Sequence, residues 1–340
     1  METPQFLDML PQAAFLVRDG RIAYVNPAAA ACLLEAGTPI AHLLFTGEEE
    51  YAAFDGGTLC LQLQHGPALW EASVTRSPDG DLFLLEQPED PALQALSLAA
   101  MELRNPLGTA MQEAERLSAD TALLKRSLYQ LLRRISNMSD AAGYQENPEG
   151  SPELRDICAV LDEIFEKATA VAEQAGIRLH YRGLAESHIC PVDTQRLERG
   201  VYNLISNAAG FSQPGAVIDA SLRRSGKRLY LTVSDSGSGI PSALRGQLYS
   251  RYRRQPGLED PRHGIGLGMM LIRSFATNHG GAVLIDQPIA NSTRITVSMS
   301  VCHGKGDIVR SPILLMDYAG DRDHGLLEFS DILPAELYTN

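Results

Sequence analysis

The spacing of apolar positions changes along the 340-residue chain, and each change predicts a different kind of unit. In residues 1–88, short apolar runs alternate with turn residues, and the turn Asp19-Gly20 separates two strand-forming runs that predict a hairpin. Asn26-Pro27 then opens an Ala-rich stretch that we expect to be helical, because proline is favoured early in a helix. Further strands are expected at 58–64, 69–75 and 82–85. This segment therefore predicts a compact α+β domain.

Residues 89–144 show helical spacing instead. Apolar residues recur every three or four positions in two stretches, which are separated by a polar break at 118–120. The positions of this predicted apolar stripe are Leu93, Leu96, Ala100, Leu103, Leu107, Ala110, Ala114 and Leu117, followed by Leu124, Leu128, Leu131, Ile135, Met138 and Ala142. The pattern predicts an antiparallel helical hairpin. Because one hairpin cannot bury both faces, we expect a second copy to complete a dimeric four-helix bundle.

A mixed pattern occupies residues 150–302. Helices are expected at 154–175, 194–211 and 269–279, and the clearest strands at 229–233 and 294–301, where apolar and polar residues alternate. This predicts a second α+β domain. Residues 303–340 form an acidic tail whose apolar pieces, 313–316 and 326–333, are expected to include a strand docked on another domain.

Composition narrows the choice of partners and compartment. The net charge of −13 disfavours nucleic acid and anionic membrane surfaces, which basic proteins bind. No apolar run approaches the ~18 residues of a membrane span, and the N-terminus lacks the basic start and apolar stretch of a signal peptide. The five cysteines are scattered without a C-x-x-C motif, which predicts reduced thiols. We therefore expect a cytoplasmic protein that binds no nucleic acid and has no membrane span.

A pair of asparagines and a glycine-rich turn outline a candidate nucleotide site. Asn203 and Asn207 are four residues apart, so they share one helical face, where their amides suit Mg²⁺ and phosphate oxygens. The alternative for this pair is an ordinary exposed polar face. Asp235 follows an alternating strand, and its carboxylate can accept a hydrogen bond from an exocyclic amine such as that of adenine. Gly237 and Gly239 permit positive φ and a close approach to a flat base.

Positive charge and a second glycine run follow. The stretch 241–263 carries several arginines, including Arg251, which suits a lid over phosphates in an otherwise acidic chain. Gly264, Gly266 and Gly268 then lead into an apolar helix, whose first N–H groups can face an anion. A run of this type alone is weak evidence. Since it follows no strand of a βαβ unit, a dinucleotide site is disfavoured.

The order of these motifs resembles the ATP-binding domain of sensor histidine kinases, part of a wider group with gyrase-like and chaperone ATPases. Residues 203–208 resemble the N box, 235–241 the first glycine box, 248–252 the aromatic box of the lid, and 264–268 the second glycine box. The resemblance implies an α/β-sandwich domain that binds ATP and Mg²⁺, with Asn207 as a ligand of the metal. It also implies contacts with the nucleotide at Arg251, Tyr252 and Leu267 of these boxes, and at Thr293, since 279–281 with 292–293 resemble the family's closing hairpin.

The preceding segments fit the same family. Residues 1–88 resemble a PAS sensor domain in their hairpin and Asn-Pro helix, with an unrelated small α+β domain as the alternative. The resemblance therefore implies a PAS-like domain at 1–88, a dimerisation hairpin at 89–144, an ATP-binding domain at 150–302 and an acidic tail at 303–340.

Two positions depart from the family pattern in the pocket. Gly210 stands where a lysine usually follows the second asparagine of the N box, so a charge that contacts phosphate is lost. Position 203 is asparagine, whereas the hydrolysing ATPases carry a glutamate that activates water there. Because an amide cannot act as that base, steady ATP hydrolysis is disfavoured.

A third departure concerns the residue that should be phosphorylated. Residues 101–107 resemble the H box H-E-L-R-x-P-L, with Met101 in the place of the acceptor histidine. An imidazole nitrogen is nucleophilic at neutral pH, whereas a thioether has no proton to lose and forms no stable phosphoryl adduct. No histidine lies between His65 and His180 to replace it. The sequence predicts a homodimeric pseudokinase that binds Mg-ATP and acts by conformation on a response-regulator receiver or a partner histidine kinase.

Two catalytic alternatives stay open. Glu102 and Asn105 have the E-x-x-N spacing that, in this family, supports dephosphorylation of a receiver aspartyl phosphate, although both could be plain exposed helix residues. The chain could also act as a kinase in trans on a partner that carries the histidine. An interaction module with a dead pocket is less attractive, because the glycine boxes are intact.

Overall fold

A computed structural model of the protein describes residues 6–86, 91–117, 121–146, 152–213, 215–237, 239, 268–289, 292–300 and 322–339. Its helices are α1 (Pro27–Ala31), α2 (Glu48–Ala52), α3 (Pro91–Arg116), α4 (Ala122–Glu146), α5 (Ile157–Gln174), α6 (Thr194–Phe211), α7 (Gly268–Asn278) and α8 (His324–Glu328). Its strands are β1 (Ala14–Arg18), β2 (Arg21–Val25), β3 (Thr58–His65), β4 (Ala68–Ser77), β5 (Gly80–Glu86), β6 (Glu153–Asp156), β7 (Arg178–Arg182), β8 (Ile189–Val192), β9 (Val217–Ser225), β10 (Arg228–Asp235), β11 (Val283–Asp286) and β12 (Thr293–Ser300). Within these ranges, no helix combines the length and the hydropathy that crossing a membrane requires.

The N-terminal strands form an antiparallel unit in the order β2-β1-β5-β4-β3. The predicted hairpin is confirmed, and Asp19 and Gly20 both adopt positive φ in its turn. The buried Asn26 side chain caps α1 by accepting a hydrogen bond from Ala29 N at 2.8 Å. The strands expected between 58 and 85 are also confirmed. Alternate strand residues supply the core, in which the ring of Phe15 stacks on that of Phe83.

Helices α3 and α4 pack on each other and confirm the predicted hairpin. Their contact is lined by buried Ala100, Leu107, Met111, Leu132 and Ile135. This contact includes Met111 and Leu132, which are not positions of the predicted apolar stripe, so the observed contact is offset from the prediction. Five described positions of the predicted stripe are exposed in the single chain: Leu103, Ala110, Leu117, Leu124 and Leu131. The four-helix bundle stays a prediction.

The third unit places α5, α6 and α7 against strands in the order β11-β12-β10-β9-β7. Leu229, Leu231 and Val233, on alternate positions of β10, are buried with the apolar faces of these helices. The helix predicted from 154 begins at 157 instead. Residues 153–156 form β6, which pairs with β8, and the Asp156 side chain then caps α5 by accepting from Cys158 N at 3.1 Å.

One continuous ten-stranded sheet joins the N-terminal strands to this third unit. Strand β3 pairs antiparallel with β11, and Leu59 lies opposite Leu284. The approach is close, since a Cβ on Gly57 would stand 2.4 Å from the Ile285 carbonyl oxygen and Gly57 itself has φ +86°. We call the β3–β11 pairing, with Gly57, the seam. The sequence did not predict it, and the predicted domain boundaries stay a prediction.

The described part of the C-terminal tail, residues 322–339, does not form the expected strand. Residues 322–339 form α8, a turn and a short 3-10 helix at Ala335–Tyr338, because the Asp323 side chain caps α8 by accepting from Leu326 N at 2.8 Å. The segment docks on both neighbouring units: Leu327 lies in the hairpin core and Phe329 in the core of the third unit. The other apolar piece, 313–316, lies outside the described residues.

Candidate functional site

Asp235 ends β10 directly opposite Thr293 of β12, so the strand register brings two predicted site residues together. The half-buried Asp235 carboxylate accepts a hydrogen bond from Gly237 N at 2.8 Å. Burial raises the pKa of Asp235, while hydrogen bonds from Gly237 and Thr293 oppose that rise. The carboxylate is thereby fixed in orientation at the end of the strand, where it can accept from a ligand N–H.

The first glycine run is shaped by close protein neighbours. A Cβ on Gly237 would lie 2.5 Å from the carbonyl oxygen of Phe211, the last residue of α6. Gly239 has φ +71°, and a Cβ there would lie 2.6 Å from Gln287 Nε2. Gly237 therefore requires glycine because its neighbour is backbone, and Gly239 because of its positive φ, and both reasons are visible without a ligand. The expected approach to a flat base is an additional demand that these contacts do not test.

Asn203 and Gly268 also meet, which brings the N box against the end of the second glycine run. The Asn203 amide is 2% exposed and donates from Nδ2 to the Arg199 carbonyl at 2.9 Å. A Cβ on Gly268 would lie 2.6 Å from Asn203 Oδ1. The Asn203 side chain is thus held within the protein, whereas Asn207, one turn further on, is half-buried.

Gly210 stands in open space. A Cβ there would meet no atom within 4 Å, so the fold does not exclude a larger side chain at this position. The loss of the usual lysine is therefore a change of charge without a steric cause.

Five predicted site residues lie outside the described residues: Arg251, Tyr252, Gly264, Gly266 and Leu267. The predicted lid at 241–263 lies there too. Within the described residues, the structure therefore places Asp235 opposite Thr293 and Asn203 against Gly268.

The acceptor-like motif lies on α3. Met101 is 55% exposed, and Glu102 and Asn105 are also exposed. Helix α3 continues through Pro106, and the Asn105 carbonyl accepts a hydrogen bond from the Thr109 hydroxyl at 3.2 Å. All three side chains can therefore be reached by a partner, but Met101 offers only a thioether.

Sequence reasoning missed a buried charged cluster beside the asparagines of α6. Arg199 and Ser206 lie four residues before and three residues after Asn203, on the same helical face. Arg199 and Ser206 of α6 converge there with Arg133 of α4 and Glu328 of α8. Two weak signals were available: Arg133 interrupts a leucine-rich helix, and Glu328 lies inside an apolar piece of the tail.

Part of the chain is similar in sequence to known proteins. Residues 192–302 match the family of histidine kinase-, DNA gyrase B- and HSP90-like ATPases. The chain is 30% identical over 167 residues to the sensor histidine kinase TmoS of Ectopseudomonas mendocina, which covers 48% of this chain and 17% of TmoS. It is 28% identical over 205 residues to the sensor protein IrlS of Burkholderia pseudomallei, which covers 57% of this chain and 44% of IrlS. The chain thus spans less than half the length of these relatives.

A solved structure shares the fold. The crystal structure of full-length ShkA in complex with AMPPNP superimposes with a TM-score of 0.50 at 20% identity, over 62% of this chain and 47% of that one. Together these comparisons support a histidine-kinase-type ATPase domain in residues 192–302 of this chain.

Proposed function

We propose that the protein is a cytoplasmic, homodimeric pseudokinase of two-component signalling, which binds Mg-ATP and acts by conformation on a response-regulator receiver or a partner histidine kinase. The observation that carries the proposal is that one chain combines a carboxylate suited to an adenine ring with an acceptor-like helix that presents Met101. That carboxylate is Asp235, which accepts a hydrogen bond from Gly237 N and lies opposite Thr293. The thioether of Met101 cannot accept a phosphoryl group, so autophosphorylation at that position of α3 is not expected.

The residues present fit an adenine nucleotide. Asp235 would accept from the exocyclic amine of the base, and the half-buried Asn207 would offer its amide oxygen to Mg²⁺. Bound Mg²⁺ would neutralise charge on the phosphates. Gly210 adds no cation beside them, so we expect weaker binding than a lysine at 210 would give.

Exposed apolar side chains support the homodimer. They lie along α3 and α4 on surfaces that the single hairpin does not bury, and a second copy would cover them. They are Leu98, Met101, Leu103, Leu117, Leu123, Leu124 and Leu131. The strand order β2-β1-β5-β4-β3 and the Asn26 cap likewise support a PAS-like sensor unit.

Transfer of label from γ-labelled Mg-ATP tests the proposal. We expect the wild-type protein to stay unlabelled and Met101→His to become labelled, because the variant restores only the nucleophile. Labelling of the wild-type chain would contradict the proposal, since another residue would then accept phosphate.

Nucleotide binding is tested separately by thermal unfolding with and without Mg-ATP. At about 100 times the dissociation constant, a ligand stabilises the native state by about 2.7 kcal/mol, so the wild-type midpoint should rise. Asp235→Ala should abolish that rise. Asp219→Ala, which removes an exposed carboxylate of β9, should preserve it. A wild-type midpoint that ignores Mg-ATP would remove nucleotide binding from the proposal.

A second candidate is a receiver phosphatase, which the exposure of both Glu102 and Asn105 favours. A carboxamide at 105 would orient the attacking water, a role that needs no histidine. The test is the decay of receiver aspartyl phosphate with Asn105→Ala, compared with Gln112→Ala, which removes another exposed carboxamide of α3. Equal decay with both variants would exclude this role for Asn105.

A further inference from the structure

The C-terminal segment 322–339 lies in a groove between α4 of the hairpin and α6 of the ATPase-type domain. Its buried apolar residues are divided between the two sides. Leu327 packs in the hairpin core, while Phe329 meets Tyr202 of α6 edge-on with ring centroids 5.8 Å apart. Tyr338 returns to α4, where its ring meets Tyr129 at 5.0 Å. One short segment is therefore anchored in both units.

Helix α4 also holds the backbone of the segment. Arg126 donates to the carbonyls of Ser330 and Asp331 at 3.0 Å each, and Gln130 donates to the Ser330 carbonyl at 3.1 Å. These carbonyls follow α8, so their partners come from another unit instead of from a longer helix. These hydrogen bonds stabilise the turn of the tail at Ser330 and Asp331.

The centre of the groove is a buried ion cluster. Glu328 is fully buried, and its carboxylate lies 3.0 Å from Arg133 Nε of α4 and 3.7 Å from Arg199 Nε of α6. Arg133 also pairs with Asp331 at 2.9 Å, and Arg199 with Asp140 at 2.8 Å. Glu328 thus stands between one guanidinium from each unit.

This arrangement couples the two units through the tail, in addition to the direct ion pair between α6 and Asp140 of α4. Two arginines brought together out of water repel each other unless a carboxylate compensates them. Direct contacts between α4 and α6 are also present, including the 2.6 Å hydrogen bond from Arg133 Nη2 to the Ser206 hydroxyl. Because α6 also carries Asn203 and Asn207, whatever fixes α6 relative to α4 fixes the nucleotide site relative to the hairpin.

We propose that segment 322–339 is an intramolecular clamp, in which Glu328 bridges Arg133 and Arg199 and so locks the ATPase-type domain onto α4 in one orientation. The groove is a docking site for a short acidic, aromatic peptide, and its occupant is the tail of the same chain. Nucleotide binding is not needed for this role, so the clamp stands or falls independently of the proposed function.

The clamp can be opened in two independent ways within the full chain. Glu328→Gln removes the bridging charge but keeps the shape of the side chain. Gly325→Ala keeps every charge but adds a methyl group 2.5 Å from Val171 Cγ2 of α5. The control is Glu336→Gln, which neutralises an exposed carboxylate of the same segment.

Two readouts without nucleotide test the clamp. Hydrogen exchange should quicken by at least about tenfold at amides 326–333 in both variants, because released segments lose protection. Electron–electron distances between bio-orthogonal spin labels at Ser127 of α4 and Glu166 of α5, both exposed, should show one narrow distribution in the wild type. The distribution should broaden roughly twofold in both variants and stay narrow in Glu336→Gln.

Two results would overturn the proposal. If the tail is released but the distance distribution keeps its width, the segment binds in the groove without fixing the orientation of the two units. If neither variant releases the tail, the ion cluster and the close contact at Gly325 do not hold it.

Discussion

The ATPase-type domain is held on two sides by contacts of opposite character. At the seam, β11 joins β3 through backbone hydrogen bonds in fixed register, and the approach depends on the missing side chain of Gly57. At the clamp, α6 joins α4 through side-chain charges centred on Glu328. Backbone pairing tolerates most changes of side chain but no change of register. A charge cluster tolerates small shifts but not the loss of one charge. The seam therefore suits a permanent joint, and the clamp suits a joint that opens.

A buried charged contact beside the seam joins the same two units, and its loss should have the largest effect. Arg273 of α7 is 1% exposed and reaches Glu71 of β4 at 3.1 Å and Glu86 of β5 at 3.3 Å. Arg273→Met should lower the free energy of unfolding by about 3–5 kcal/mol, because two largely buried carboxylates lose a shared partner. Chemical denaturation measures this.

The matched control for that experiment is Arg224→Met. Arg224 lies exposed on β9 beside Glu186, and such surface pairs contribute about 0–1 kcal/mol. Similar small losses for both variants would show that the charged contact does not hold the seam.

The backbone part of the seam is tested by Gly57→Ala. A residue with a side chain at positive φ costs about 1–2 kcal/mol, and the new Cβ would also collide with the Ile285 carbonyl. We expect a total loss of about 2–4 kcal/mol in denaturant unfolding. Gly66→Ala has the same kind of φ with nothing within 4 Å, so it isolates the conformational part. Equal losses would mean that the strands separate at little cost.

The clamp offers a smaller, local test in Tyr338→Phe. The Tyr338 hydroxyl donates to the Leu326 carbonyl at 2.7 Å, while its ring packs on Tyr129. Removing only the hydroxyl should cost about 1 kcal/mol, seen as faster hydrogen exchange in 324–339 with the seam strands unchanged. Faster exchange across β3 and β11 as well would show that the two joints are coupled and not separate.

The smallest effect is expected on acidification. His279 follows α7, and burial lowers its pKa below the usual 6.5. Between the two values the unfolded chain binds more protons, so stability should fall as pH drops from about 7.5 towards 5.5. His279→Gln should flatten this dependence of the denaturation midpoint, and His180→Gln, at an exposed site, should not. Identical pH profiles for all three proteins would exclude His279 as a source of the dependence.

Local chemistry explains which parts of the fold the sequence predicted. Helix α6 matches its predicted span because Asp193 caps it and its apolar face is regular. The pairing of Asp235 with Thr293 was expected only through the family resemblance, because no local pattern sets the register of β10 against β12. Features set within about one helix or one strand were therefore predictable.

The two joints were not predictable, because both depend on residues far apart in the chain. The alternating leucines of β3 predict a strand, but nothing in them indicates that both of its faces are buried or that its free edge meets β11. Gly57 has the signature of an ordinary turn glycine. The bond between Arg133 and Glu328 spans 195 positions, and neither residue carries a local sign of its partner.

The seam has a consequence for self-association. A sheet ends in strands whose outward N–H and C=O groups lack partners, and such edges recruit strands from other molecules. Without the seam, β3 and β11 would each end a sheet in this way. By covering one another they remove two templates for aggregation, so cutting the chain between the two groups of strands would expose both edges, and each piece should then self-associate.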